Sequence, residues 1–265
     1  MDDTPPTLAP LRNVAALIGL VDRVINRDLG LPGMATFHGP SGWGKTSAVT
    51  IAANEFQAYS VQMKSVWNQT FLCRQILFEL GVKPKATIPV MVEQIAAQLV
   101  ETDRPLIIDD AQYLANKRMI DMIRDIYESC QTTVILVGEQ DLPQTLTRWE
   151  NVHGRMYDWV EAVPCDVADA RFLAGVYGHG VTIADDLLEK IVVVAGGSAR
   201  HVAKNCSRAR EIALGKGRDA IDLSLWGKQP FFTGDLPTSA NRASVHRLDP
   251  AAARRSDAAA RRKSA

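Results

Sequence analysis

The sequence predicts an α/β fold, in which a mostly parallel sheet carries helices on both faces, followed by a small all-helical domain and a basic tail. Between residues 33 and 164, short apolar runs alternate with amphipathic helical stretches, which is typical of a parallel sheet. A glycine-rich loop joins the first of these runs to a helix. Residues 165–216 then read as three helices without a strand. We therefore divide the chain into an N-terminal tail and helix (1–32), the α/β domain, the helical domain, and a tail that we expect to be disordered (217–265).

The composition is that of an ordinary globular protein, with 46% hydrophobic and 23% charged residues. Its four cysteines are widely separated and form no C-x-x-C pair, which argues against a disulfide framework or a zinc site. The N-terminus lacks the basic region of a signal peptide, and no apolar run approaches the roughly 18 residues of a membrane helix. We expect a cytoplasmic protein with no membrane partner.

Charge is distributed unevenly along the chain although the net charge is zero. Residues 216–265 hold ten Lys and Arg against five Asp and Glu, whereas residues 1–215 hold 20 against 25. A basic tail on an acidic body indicates an anionic partner for the tail.

The first predicted element is a helix over residues 11–28, because apolar residues recur there at helical spacing. Gly30 and the pair Pro32-Gly33 end this helix and lead into the first strand. We expect the helix to pack beside the site described next; a regulatory or partner-binding role is the alternative.

The second feature is the stretch His38–Thr46, which fits the phosphate-binding pattern G-x-x-x-x-G-K-[ST]. It follows the apolar strand Met34–Phe37 and precedes the helical run Ser47–Ala53. The glycines let backbone N–H groups turn towards phosphate oxygens, and a helix N-terminus favours an anion. Lys45 is then expected against the β- and γ-phosphates of a bound nucleotide, and Thr46 on Mg²⁺.

The remaining elements of the α/β domain follow in order. They are the strand Tyr59–Met63, the helices Asn68–Leu80 and Pro89–Glu101, the strand Pro105–Asp110, the helix Lys117–Ser129, the strand Thr132–Val137, the helix Asp141–Trp149 and the strand Tyr157–Val163. Ligands of such sheets bind where the carboxyl ends of the strands meet.

One of these strands ends in two carboxylates, Asp109 and Asp110. Asp109 is placed to hold Mg²⁺, directly or through water. Asp110 would face the γ-phosphate and could position or deprotonate an attacking water. The alternative for this pair is an acidic strand end that faces solvent.

The C-terminal third changes character at Pro164. Beyond residue 216, prolines and glycines interrupt every apolar run, and the chain ends in a short duplication of Ala-Ala-Ala-Arg-Arg, at 251–255 and 258–262. A seven-residue repeat would bring both arginine pairs to one face of a helix, but so short a helix is marginal in water. We expect disorder here.

Four segments together resemble AAA+ ATPases, over roughly residues 11–215. They are the glycine-rich loop, the strand end at Asp109-Asp110, the polar residues after Val137, and Gly197-Ser198-Ala199-Arg200 in the helical domain. The fold implied is a P-loop AAA+ domain with a small helical lid. Within this superfamily, residues 39–46, 107–111 and 137–142 are similar to phage Mu B-like transposition ATPases, which are related to transposon target-selection and ExeA-type ATPases.

The resemblance implies a role for particular residues. Lys45 and Thr46 form the Walker A motif and Asp109 the Walker B acid, while Arg200 matches the sensor-2 arginine that reaches the γ-phosphate. Asp110 stands where most AAA+ proteins have glutamate, so we expect slow ATP hydrolysis, stimulated by DNA or a partner. Glu139 or Gln140 stands at the sensor-1 position; a plain turn residue is the alternative. The expected nucleotide contacts are Gly39, Pro40, Ser41, Gly42, Trp43, Gly44, Lys45, Thr46, Ser47 and Arg200.

The resemblance also implies an arginine finger just before the last strand, which completes the site of a neighbouring subunit. Arg155 and Arg148 are the candidates, and Arg155 is closer to the strand. Either residue implies self-association into a ring or a helical filament.

Contacts with DNA require Lys or Arg on an exposed surface. The candidates are Lys64, Lys117 and Arg118 in loops after strands, each of which could also be an ordinary solvated charge. Arg200, Lys204 and Arg208 lie four residues apart, so a DNA-facing basic stripe is an alternative to nucleotide sensing for Arg200. Trp43 and Trp67 could stack on bases, although packing is the commoner fate of tryptophan.

The function implied is an ATP-dependent, nonspecific binder of double-stranded DNA, which would oligomerise on target DNA and recruit or activate a transposase. The alternatives are an ExeA-like or helicase-loading AAA+ ATPase, and an ATP-binding switch that regulates a protein partner without productive turnover. An ExeA-like ATPase should carry a membrane span or a peptidoglycan-binding region, and we find neither in the sequence.

Overall fold

The computed structural model describes residues 11–116 and 119–234. The strands are β1 (Met34–His38), β2 (Tyr59–Gln62), β3 (Leu106–Asp109), β4 (Val134–Gly138), β5 (Met156–Glu161), β6 (Thr182–Ile183) and β7 (Ala220–Ile221). The helices are α1 (Arg12–Ile25), α2 (Lys45–Glu55), α3 (Gln69–Glu79), α4 (Ile88–Thr102), α5 (Gln112–Asn116), α6 (Ile120–Cys130), α7 (Leu142–Leu146), α8 (Glu150–His153), α9 (Val167–Tyr177), α10 (Asp185–Ala195), α11 (Ala199–Gly215) and α12 (Leu223–Trp226).

The main sheet has five strands in the order β2-β3-β4-β1-β5, and every pairing is parallel. The central strands are buried on both faces, which explains why they read as continuous apolar runs. The predicted fold class is confirmed. The carboxyl ends of β1, β3 and β4 lie side by side, so the loops that follow them meet at one edge.

Two hydrophobic clusters cover the two faces of this sheet. Alternate residues of one strand enter different clusters, as Ile107 and Ile108 of β3 do, because successive side chains point to opposite faces. The first cluster includes α1, α2 and the helices after β5, and the second includes α3, α4 and α6. The N-terminal helix and the helical domain therefore share one core.

The loop between β1 and α2 depends on glycine at two positions. Gly44 precedes α2 with a φ of +84°, in the left-handed region that favours glycine. Gly42 also has a φ of +84°, and a Cβ there would lie 2.7 Å from the Ser198 hydroxyl oxygen. The loop therefore lies directly against the start of α11.

Two elements of the α/β domain differ from the sequence prediction. Helix α5 directly follows the carboxylate strand, where we expected only a loop, and the next helix begins at Ile120. The helix expected from Asp141 to Trp149 ends already at Leu146, as α7, and a turn separates it from α8, which begins at Glu150. The hydroxyls of Thr145 and Thr147 donate to backbone carbonyls three or four residues earlier, which competes with continuation of the helix.

The C-terminal part of the fold is more extensive than expected. The three predicted helices are α9, α10 and α11, but β6 pairs in parallel with β7, so this domain is not purely helical. The expectation of disorder from residue 217 is wrong for the segment that ends at Phe231, where the folded unit also ends. Trp226 is 1% exposed, stacks on Phe231 and donates its indole N–H to the Gln229 carbonyl at 2.8 Å. The terminal arginine repeats lie outside the described residues.

No helix among the described residues is long and apolar enough to cross a membrane.

Candidate functional site

A cavity of about 680 Å³ opens at the carboxyl ends of β1, β3 and β4. Its walls come from the glycine-rich loop and the start of α2, the ends of the strands, the first residue before α1, and helices α9 and α11. The lining residues are Leu11, Ser41, Gly42, Gly44, Lys45, Thr46, Ser47, Gln62, Asp109, Asp110, Gly138, Glu139, Leu173, Tyr177, Ala199, Arg200, Ala203, Lys204 and Ser207.

Most residues predicted to contact a nucleotide line this cavity. Gly39, Pro40 and Trp43 do not. Trp43 packs against the first hydrophobic cluster, and its ring lies near Gly197 of the helical domain. Packing thus accounts for Trp43, and the structure gives no support to base stacking by this side chain.

Lys45 is the cation of the loop. Its Nζ donates to the carbonyls of Gly39 at 2.6 Å and Pro40 at 2.8 Å, so the ammonium is held at the loop it would use for phosphate. Burial lowers the pKa of Lys45, while the charges of Asp109, Glu139 and Asp110 act in the opposite direction. A bound phosphate would add an anionic partner at this half-buried cation.

Asp109 and Thr46 provide the donor set that a magnesium ion requires. Asp109 is 3% exposed, and its Oδ1 accepts the Asp110 N–H at 2.9 Å. Its Oδ2 is buried and has no hydrogen-bond partner among the residues that the structure describes. Burial raises the pKa of Asp109, and the nearby Thr46 hydroxyl partly offsets this. An orphaned carboxylate oxygen beside a hydroxyl fits a hard divalent cation.

Asp110 lies at the mouth of the same cavity in an unusual backbone conformation, with a φ of +56°. Its Oδ2 accepts from Gln62 Nε2 at 2.9 Å, and its Oδ1 accepts from Gln112 Nε2 at 3.3 Å. The Gln62 Oε1 in turn accepts a hydrogen bond from the Lys64 ammonium at 2.6 Å. Lys64, proposed from the sequence as a DNA contact, is thus linked through one glutamine to the candidate catalytic carboxylate.

Glu139 and Gln140 were equivalent candidates at the end of β4. Only Glu139 of the two lines the cavity. Its charge also opposes the lowering of the Lys45 pKa, as expected for a carboxylate near the loop.

Helix α11 brings two cations to the cavity. Its N-cap is Ser198, and the Arg200 N–H donates to the Gly42 carbonyl at 3.0 Å. The exposed side chains of Arg200 and Lys204, one turn apart, line the cavity, whereas Arg208 does not. Lys204 thus shares the cavity with Arg200, and a contact between Lys204 and DNA stays a prediction.

The two arginine-finger candidates lie outside the cavity of their own chain. Arg155 forms an ion pair with Glu128 at 2.6 Å, with both side chains partly exposed. Arg148 is exposed in the turn between α7 and α8. A contribution from either residue would have to reach a second subunit, which stays a prediction.

The other candidate DNA contacts are less well defined. Lys117 and Arg118 lie outside the described residues. Trp67 is half-buried, and its ring lies 5.0 Å from that of Phe71 in a tilted arrangement.

Sequence reasoning missed several residues of the cavity. Gln62 lines the cavity and donates to Asp110, as Gln112 does from outside the lining. The other lining residues that were missed are Leu11, Leu173, Tyr177 and Ala203. The only sequence signal for these residues was their position, at the end of a strand or in the helices that flank the α/β domain.

Comparison with known proteins agrees with this architecture. Residues 28–146 match a family model described as an AAA domain. No curated protein matches the chain by sequence. The chain is similar to Cdc6p from Pyrobaculum aerophilum, with a TM-score of 0.58 and 18% identity over 83% of this chain and 66% of that one.

Two further solved structures show the same fold. Drosophila ORC bound to DNA gives a TM-score of 0.58 and 16% identity, covering 84% of this chain and 61% of that one. The Thermotoga maritima RuvB Holliday junction branch migration motor gives a TM-score of 0.56 and 20% identity, covering 83% of this chain and 70% of that one. This chain spans less than two thirds of the length of the Cdc6p chain and of the ORC chain. The phosphate loop and the strand order agree with the AAA-domain match of residues 28–146, and the solved structures share the fold.

Proposed function

We propose that this protein binds ATP with Mg²⁺ in the cavity between the sheet and helix α11, and hydrolyses it to ADP and phosphate. The observation that carries the proposal is the convergence of Lys45, Thr46, Asp109, Asp110 and Arg200 on one cavity. These groups come from three separated segments of the chain. Phosphoryl transfer needs this combination of cations, a metal-binding pair and a carboxylate near the attacking water.

Each residue has a distinct role in the proposed reaction. Thr46 and Asp109 hold Mg²⁺, which neutralises charge on the β- and γ-phosphates when it is bound. Lys45 and Arg200 balance the charge on the γ-phosphate. Asp110 orients the attacking water and accepts its proton. Both oxygens of Asp110 accept amide hydrogen bonds, so any reorientation of this carboxylate towards the water breaks one of these bonds, which favours slow turnover.

We further propose that the ATP-bound form associates with itself on duplex DNA without sequence preference and recruits a transposase. Two similar solved structures support DNA binding by their own descriptions, one as ORC bound to DNA and one as a branch migration motor. Lys64 and the basic residues of 216–265 supply cations for phosphate contacts. The transposition role rests on the resemblance of residues 39–46, 107–111 and 137–142 to Mu B-like ATPases.

A second candidate is a replication role such as helicase loading. It is favoured by the similarity to Cdc6p and ORC, which are the first structures compared above. A pull-down with a replicative helicase, set against one with a transposase, separates the two partner classes. A switch without turnover would bind ATP in the same cavity and release no phosphate.

The decisive experiment is fluorescence anisotropy with random-sequence duplex DNA in the presence of ATP, of ADP, or of neither. We expect binding that requires ATP, weakens steeply as salt is raised, and disappears in Lys45→Ala. Phosphate release measured on the same samples reports turnover. Absence of DNA binding in every nucleotide state would contradict the transposition proposal and redirect the search to protein partners.

A further inference from the structure

The first turn of α1 contains a buried amide, Asn13, which the proposed chemistry does not use. Asn13 is 4% exposed. Its Nδ2 donates to the Trp43 carbonyl and to the Val163 carbonyl, each at 2.8 Å, and its Oδ1 accepts the Val163 N–H at 2.8 Å. Both N–H groups and the oxygen are therefore satisfied, by residues 30 and 150 positions away.

The bond to Trp43 acts on the phosphate loop. In a trans peptide the carbonyl and the following N–H point in opposite directions, so a donor that holds the Trp43 carbonyl also fixes the direction of the Gly44 N–H. Gly44 lines the cavity, and loop N–H groups before a helix are the donors that bind phosphate. On the other side of the loop, the Arg200 N–H holds the Gly42 carbonyl. Consecutive carbonyls of the loop are thus held by α1 and by α11.

The bonds to Val163 act on the connection to the helical domain. Val163 directly precedes Pro164, where the chain leaves the sheet region for α9. The neighbouring Arg12 donates to the Pro164 carbonyl and forms ion pairs with Asp166 and Asp169, each at 3.1 Å. One turn of α1 therefore holds both the phosphate loop and the segment that leads into the helical domain.

We propose that Asn13 is a positioning residue of the nucleotide site: it aims the Gly44 amide at the phosphates and couples the loop to the helical domain. This inference rests on the proposed nucleotide binding. Asparagine suits the position because it supplies two donors and one acceptor. Aspartate has the same shape but loses both donors and places an anionic oxygen against two carbonyls.

The first test compares Asn13→Asp with Asn26→Asp, a matched change at the exposed end of the same helix. Asn26 donates only to Asp22, one turn away. Binding of fluorescently labelled ATP with Mg²⁺ is measured below the unfolding temperature of each variant. We expect Asn13→Asp to weaken ATP binding at least tenfold, while Asn26→Asp stays within twofold of wild type. A lower melting temperature with unchanged ATP affinity would show a purely structural role and overturn the proposal.

The second test uses the wild-type protein, so it remains decisive if Asn13→Asp does not fold. Hydrogen exchange at the Val163 and Gly44 amides is followed with and without ATP. Coupling through Asn13 predicts that ATP slows exchange at both amides. Protection of Gly44 with no change at Val163 would overturn it. Failure of the wild-type protein to bind ATP at all would instead contradict the proposed function.

Discussion

The Asp110 carboxylate accepts hydrogen bonds on both oxygens, and its backbone lies in the left-handed region. An amide hydrogen bond to a charged group contributes about 1.5–3 kcal/mol, so a reorientation of the carboxylate that breaks one of these bonds adds a barrier of that order. At single-residue scale, the expected slow hydrolysis therefore has a source besides the shorter side chain of aspartate. The contact between Lys64 and Gln62 connects this restraint to the surface of the molecule.

One prediction at this scale concerns the two cations of α11 that follow Arg200. Lys204 lines the cavity and Arg208 does not. Lys204→Ala should weaken ATP binding by about tenfold, since a charge-assisted contact contributes about 1.5 kcal/mol or more. Arg208→Ala removes the same charge one turn away and should leave ATP affinity unchanged. Titration of both variants with labelled ATP checks this. Equal changes in ATP affinity would show that Lys204 acts only as a surface charge.

Part of the site could be predicted from the sequence because its geometry is local. Lys45 and Thr46 follow from the loop spacing, and Asp109 follows from its place at the end of an apolar strand. Gln62 could not be predicted in the same way, because its contact with Asp110 depends on β2 lying beside β3. The choice between Glu139 and Gln140 likewise required the actual end of β4.

At the scale of secondary structure, the long periodic elements of the α/β domain were predictable and the short ones were not. The strand β7 has two residues and α12 has four, which is too short for a periodic signal. Their order comes from tertiary packing: Ile221 is 2% exposed, and the Lys216 ammonium donates to the Leu225 carbonyl at 2.7 Å. Glycines and prolines beyond residue 216 led to the expectation of disorder. That expectation failed for residues 217–231 because sequence composition carries no information on this packing.

This packing predicts that α12 contributes to the stability of the whole folded unit. Trp226→Ala removes a large buried side chain and should lower the free energy of unfolding by about 3–5 kcal/mol. Leu223→Ala in the same helix removes a side chain that is 38% exposed and should cost about 1 kcal/mol or less. Urea unfolding of both variants measures the difference. Equal and small losses would mean that this segment only rests on the surface of the folded unit.

At the scale of the whole molecule, each chain holds the phosphate loop, the carboxylates and Arg200 in one cavity, whereas Arg155 and Arg148 lie elsewhere. A head-to-tail assembly would bring such a residue to the cavity of the next subunit, as rings and filaments do. The Arg155 ion pair with Glu128 does not prevent this. Exposed pairs contribute about 0–1 kcal/mol, so exchange of Glu128 for a phosphate is inexpensive.

Subunit mixing tests this arrangement directly. Asp110→Asn, which keeps the residues proposed to bind ATP, and Arg155→Ala should each lack DNA-stimulated ATPase activity. In an equimolar mixture, a site is complete where an Arg155→Ala subunit receives its arginine from an Asp110→Asn neighbour, which is about a quarter of the sites in a randomly mixed head-to-tail assembly. Phosphate release should recover to about that fraction of wild type. An inactive mixture, or an Arg155→Ala variant that is active alone, would exclude Arg155, and the same experiment with Arg148→Ala would then decide whether the second arginine completes the site.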